Sequence, residues 1–144
     1  MTHRQLALML CLCLAPGLST AQHSHDDWEP RAYSASAMYQ PSPMPERVIL
    51  TWSDDPTTTQ SVTWRTDTSV QRAVGEIAIA NANGRALTPK RFPAETSYFK
   101  SDLNEAHYHS LTFRDLRPDT LYTYRVGDGV NWSEYFHFRT ASNR

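Results

Sequence analysis

Eleven consecutive residues, LRPDTLYTYRV from Leu116 to Val126, constrain this chain more than any other stretch. Leu116 closes one strand, Pro118 and Asp119 build a turn, and Thr120 leads into a second strand on which Tyr122, Tyr124 and Val126 share a face. The Leu-x-Pro-x-Thr-x-Tyr order puts the ring of Tyr122 in a core while its hydroxyl reaches back to turn backbone. That bond satisfies a polar group that would be costly to bury alone. A corner of this kind belongs to antiparallel β-sandwiches.

Strand signals recur about every 10 to 15 residues beyond Pro45, and helix signals do not appear. Val48, Leu50 and Trp52 alternate before Asp54-Asp55-Pro56, and Val62 and Trp64 face inward between Ser61, Thr63 and Arg65. Ile77 and Ile79 mark a third strand, closed by the tight-turn pair Asn83-Gly84. Residues 85 to 105 read as irregular, since Pro89 and Pro93 exclude a central strand, with Tyr98-Phe99-Lys100 as a short edge strand. His109, Leu111 and Phe113 then alternate, followed by the Tyr122 strand and a last strand bearing Phe136 and Phe138. About seven strands of this spacing predict an all-β, immunoglobulin-like (fibronectin type III-like) sandwich. Its structural core is assigned to Trp52, Trp64, His109, Leu116, Tyr122, Tyr124, Phe136 and Phe138. Trp52 and Trp64 are read as inward aromatics whose indole N–H groups find partners.

Ahead of the sandwich, residues 1 to 21 combine a basic start at Arg4, an apolar run from Leu6 to Leu14, and Ser19-Thr20-Ala21. This is the pattern of a secretory signal peptide cut before Gln22, so a secreted or periplasmic chain is expected, with no membrane association after cleavage. Both cysteines, Cys11 and Cys13, fall inside that segment, which leaves burial rather than disulfides to stabilise the fold. Residues 22 to 45 lack a period of two or 3.6 and carry Pro41, Pro43 and Pro45, the composition of an extended arm. Trp28, Tyr33 and Tyr39 make that arm stickier than a linker. One domain, 46 to 141, follows. Loss of Arg4 leaves 13 basic against 15 acidic side chains, a net charge of −2, which gives no footprint for nucleic acid.

Three segments together resemble the N-terminal domain of purple acid phosphatases and related bacterial metallophosphoesterases: PERVILTWSDDPTTTQSVTWRTD (45 to 67), HSLTFRDLRPDTLYTYRVGDG (109 to 129) and WSEYFHFRTA (132 to 141). The shared pattern is a Trp-bearing first strand, an Asp-Pro turn, Val-x-Trp, His-x-apolar-x-apolar, Leu-x-Pro-x-Thr-x-Tyr-x-Tyr-Arg-Val-Gly, Trp-Ser and Phe-x-Phe-x-Thr. Asp115 departs from it, standing where the family usually has Gly, a change that a residue tolerant of positive φ absorbs. The resemblance implies a non-catalytic accessory domain whose partner in cis is a catalytic metallophosphoesterase domain. A dinuclear metal centre is expected there and no cofactor in this chain. The acid phosphatase (hydrolase) activity of the family would then belong to the catalytic domain, which this sequence is read as lacking, and the chain alone is expected to be inactive.

Metal-ligand motifs of the types Asp-x-Gly-Asp, Gly-Asp-x-x-Tyr, Gly-Asn-His-Glu and Gly-His-x-His do not occur in the sequence. Gly127-Asp128-Gly129 approaches the second but reads as a hairpin turn, and His107 with His109 reads as packed histidine rather than a ligand pair. His23, His25, Asp26 and Asp27 are read as a solvated cluster near the mature N-terminus. Asn131-Trp132-Ser133 is a glycosylation sequon in a predicted loop. The competing reading is a free-standing extracellular binding module that contacts a protein or a glycan through its loops or an edge strand.

Overall fold

A computed structural model describes residues 32 to 82 and 88 to 144. The signal-like segment, the His23 to Asp27 cluster, Trp28 and the Asn83-Gly84 turn lie outside the described residues. Tyr33–Arg144 form one compact unit. In chain order it contains α1 (Ala35–Met38), β1 (Glu46–Thr51), β2 (Gln60–Thr66), β3 (Val74–Ile79), β4 (Lys90–Pro93), β5 (Glu95–Lys100), β6 (Glu105–Phe113), β7 (Leu121–Gly127) and β8 (Phe136–Arg139). Two four-stranded sheets with orders β1-β2-β6-β5 and β4-β3-β7-β8 pack face to face, and every strand pair is antiparallel.

Alternation in β6 positions the core. His107, His109, Leu111 and Phe113 point inward, opposite Thr66, Trp64, Val62 and Gln60 of β2. From the other sheet Ile77, Tyr122, Tyr124, Val126 and Phe138 complete one apolar cluster with Val62, Trp64, Leu111, Phe113 and Leu116. Phe136 is half-buried against it. A chain that buries this much apolar surface on two facing sheets gains most of its stability from that contact.

Eight strands replace the seven expected, because the stretch read as irregular holds two of them. The chain leaves β4 on the edge of one sheet, turns at Ala94, and enters β5 on the edge of the other. Pro93 is compatible with this because it ends an edge strand, where no inner ladder bond is lost.

Trp52 is not in the core. It is 74% exposed, because β1 stops at Thr51, which is paired with Ser61, one residue before the inward position that alternation gives Trp52. Gln60 occupies that end of the sandwich instead: its amide donates to the Thr51 carbonyl, and its Oε1 accepts from Trp52 Nε1 at 3.3 Å. Ile79, the last residue of β3, is exposed.

Trp64 is buried as expected, but its indole N–H has no hydrogen-bond partner among the described residues. The ring leans on His109 at 5.3 Å and 35°, and both nitrogens of that imidazole are already committed elsewhere.

Part of the segment read as an arm is tied to the sandwich. Ser34 caps α1 by accepting from Ala37 N, the Ser36 hydroxyl donates to the Leu103 carbonyl, and Asp67 N donates to the Ser42 carbonyl. Arg65 reaches out from β2 to the Tyr39 carbonyl and to Glu46, which explains how Arg65 is buried on the outward face of its strand.

Candidate functional site

The corner at Leu116 assembles as its sequence dictates. Pro118 and Asp119 turn the chain, with Asp115 at φ 58° and Asp119 at φ 46°. Both are aspartates, which tolerate the left-handed region better than most residues. The Tyr122 hydroxyl accepts from Arg117 N at 2.8 Å, and Thr140, entering from the end of β8, accepts from Thr120 N and donates to the Arg117 carbonyl. Tyr122 is also stacked on Phe138 at 5.7 Å. The corner therefore locks β6, β7 and β8 together without exposing a reactive group.

His107 and His109 share the inner face of β6, with ring centroids 6.2 Å apart and planes at 85°. His109 is bonded through Nε2 to the Thr66 hydroxyl at 2.8 Å and through Nδ1 to the Thr96 hydroxyl at 2.9 Å. His107 Nδ1 meets the Val70 carbonyl at 2.8 Å. Burial, with a smaller push from His107, lowers His109 to about 4, so the ring is neutral across ordinary pH. Asp128 is also used internally, Oδ1 accepting from the backbone N–H of Val130 and Asn131 and Oδ2 from the Asn131 amide. Burial works to raise this carboxyl, but those hydrogen bonds outweigh it and hold it below the usual carboxylate range. The glycines around it serve the loop: Gly129 has φ 100°, and a Cβ on Gly127 would stand 2.1 Å from the Asn131 carbonyl oxygen.

Among the described residues no group of three or more His, Cys, Asp or Glu side chains is arranged to hold a metal ion. The histidine and aspartate donors that the sequence singles out here are engaged by Thr66, Thr96, Val70 and the 128 to 131 loop.

One charged cluster escaped the sequence reading. Glu76 of β3, 4% exposed, stands on the outer face of its sheet between Arg91 of β4 and Arg125 of β7. Both guanidinium groups bond to it, and Arg125 lies 4.1 Å from the Trp132 ring centroid and 5.0 Å from that of Tyr135. Burial tends to raise the Glu76 carboxyl, while hydrogen bonds from Arg91 and Arg125 prevail and lower it. The available signal was the outward placement of Glu76 and Arg125 on adjacent strands near Trp132, which sequence reading treated as part of the family pattern and of a sequon.

The model of the purple acid phosphatase N-terminal domain matches residues 45–140, a span that contains every strand of both sheets. The chain belongs to that family. The purple acid phosphatase N-terminal domain is thus an eight-stranded sandwich in this chain, and its fold recurs in proteins of other kinds. The structure of astrotactin-2, a vertebrate-specific perforin-like membrane protein, is similar with a TM-score of 0.50 and 17% identity, over 72% of this chain and 22% of that one. The fibronectin type III domain of human contactin 1 is similar with a TM-score of 0.48 and 18% identity, over 72% of this chain and 82% of that one. No curated protein sequence matches the chain.

Proposed function

We propose that this chain supplies the non-catalytic accessory domain of a secreted, purple-acid-phosphatase-like metallophosphoesterase. Its partner is the catalytic domain of such an enzyme, and the dinuclear metal centre that hydrolyses phosphate esters resides in that partner. The observation that carries this reading is the family match over residues 45–140. It is supported by the way the conspicuous polar residues of the sandwich are spent on its own architecture: His109 between two threonine hydroxyls, Asp128 within its loop, Glu76 between two arginines. Export follows from the leader pattern of residues 1 to 21.

Docking of the catalytic domain is assigned to the side of the sandwich that carries β8. This strand ends its sheet, and Val130 and Tyr135, 84% and 49% exposed, stand beside it. A chromogenic aryl phosphate, assayed with the purified chain in Mn, Zn or Fe buffers, tests the non-catalytic part of the reading. No turnover is expected. Turnover that copurifies with the chain and disappears in His107→Ala or His109→Ala would overturn it.

A further inference from the structure

A concave site of about 430 Å³ opens on the outer face of the first sheet, where the arm crosses it. Three aromatic rings wall it: Tyr39 from the arm, Phe99 from β5 and Tyr108 from β6. All three are exposed, at 47%, 55% and 39%, and Phe99 and Tyr108 meet edge to face at 5.9 Å. The size is within the usual range for small-ligand pockets.

Arg65 is neutralised by Glu46, but the side chains of Arg47, Asp102 and Asn104, which line the same cavity, have no hydrogen-bond or ion-pair partner among the described residues. Arg47 sits there at a cost. Its φ of 53° accompanies a register shift between Glu46 and Ile49, and a bulky non-glycine residue in the left-handed region is strained. A β-bulge of this sort re-aims a side chain, and here the bulged residue is a cation that lines the cavity beside the aromatic rings, without a partner among the described residues.

We infer that this cavity is a binding site for a neutral oligosaccharide. Sugar rings present C–H faces that pack on Tyr and Phe and hydroxyls that need planar donors and acceptors at the edge; the cavity offers both. Arg47 against Asp102, both without partners among the described residues, leaves the rim near electroneutral, which disfavours a strongly anionic ligand such as phosphate. The hydroxyls of Thr63, Ser97 and Ser110, without partners among the described residues, extend along the same sheet face toward a second groove lined by Ser53, Ser61 and Thr112. A chain of several sugars therefore has a polar track to follow. This site is independent of the accessory-domain reading and does not involve β8.

Titration of the full isotopically labelled chain with cellotetraose, mannotetraose and chitotetraose, followed by amide NMR shifts, tests the inference. Saturable shifts centred on Arg47, Phe99, Asp102 and Tyr108 are expected with at least one of the three. Phe99→Ala should weaken that binding about tenfold, equivalent to 1.4 kcal/mol. Arg47→Gly should also weaken it without lowering the thermal melt, because glycine accepts the bulge conformation without strain and the guanidinium is lost. The inference fails if no neutral probe gives saturable shifts at millimolar concentration, if only inorganic phosphate does, or if binding survives both Phe99→Ala and Tyr108→Ala.

Discussion

The hydroxyl of Tyr122 accepts a 2.8 Å hydrogen bond from the backbone N–H of Arg117, five residues earlier in the chain. Its ring is 6% exposed, so the bond solves two problems: it satisfies a phenol inside the core and a donor inside a turn. Tyr122→Phe keeps the ring and removes the acceptor. The expected cost is about 1 kcal/mol, rising toward about 3 if Arg117 N–H is left without water. Urea denaturation read at its midpoint measures it, and an unchanged midpoint would mean that the corner is not held by this bond.

Trp64 should behave differently from Tyr122. Trp64→Ala opens a cavity against His109 and Val62 and is expected to cost about 3 to 5 kcal/mol. Trp64→Phe also removes an indole N–H that has no partner among the described residues, which offsets part of the lost packing. It should cost clearly less than the alanine variant. If the two variants melt at the same urea concentration, the ring is not packed as described.

His109 gives the fold a pH dependence of definite sign. Its folded pKa of about 4 lies below the ordinary 6.5, so the folded state holds the neutral ring and the unfolded state takes up the proton first. Its contribution is whole above about pH 6.5 and is lost progressively as pH falls toward 4. The loss is on the order of 2 to 3 kcal/mol. In His109→Gln, which keeps polar contact with Thr66 and Thr96 but cannot titrate, the stability difference between pH 7 and pH 4.5 should shrink. An unchanged difference would assign the effect to other groups.

The two arms of the Glu76 cluster are unequal. The Arg125 side chain is 26% exposed and lies between Glu76 and the rings of Trp132 and Tyr135, whereas that of Arg91 is 59% exposed and hydrates readily. Arg125→Met is expected to cost about 2 kcal/mol and Arg91→Met less than about 1. Thermal melts of the pair rank them, and a larger loss for Arg91→Met would reverse this assignment.

Legibility in the sequence followed the length over which a residue's environment is determined. The corner was readable because Pro118, Asp119, Thr120 and Tyr122 act on one another within a few residues. Strand β6 was readable because His109, Leu111 and Phe113 keep a strict period of two. Trp52 was misplaced because alternation says which way a residue points and not where the ladder ends; the final rung at Thr51 depends on Ser61 across the sheet. The β4 to β5 switch at Ala94 hid behind Pro93, which signals the end of an inner strand and the end of an edge strand alike. Least legible were the sites that need tertiary contact: the Arg91, Glu76 and Arg125 cluster, with Arg125 over the Trp132 ring, and the cavity that joins Tyr39 to Phe99 and Tyr108 across nearly half the chain.

The accessory-domain account is tested most directly by mixing the full chain with the recombinant catalytic domain of a purple acid phosphatase expressed without its own N-terminal sandwich, and weighing the product by light scattering. A complex of one chain with one catalytic domain is predicted, weakened when Tyr135 is changed to Asp. A chain that stays strictly monomeric and ignores the catalytic domain would contradict the account.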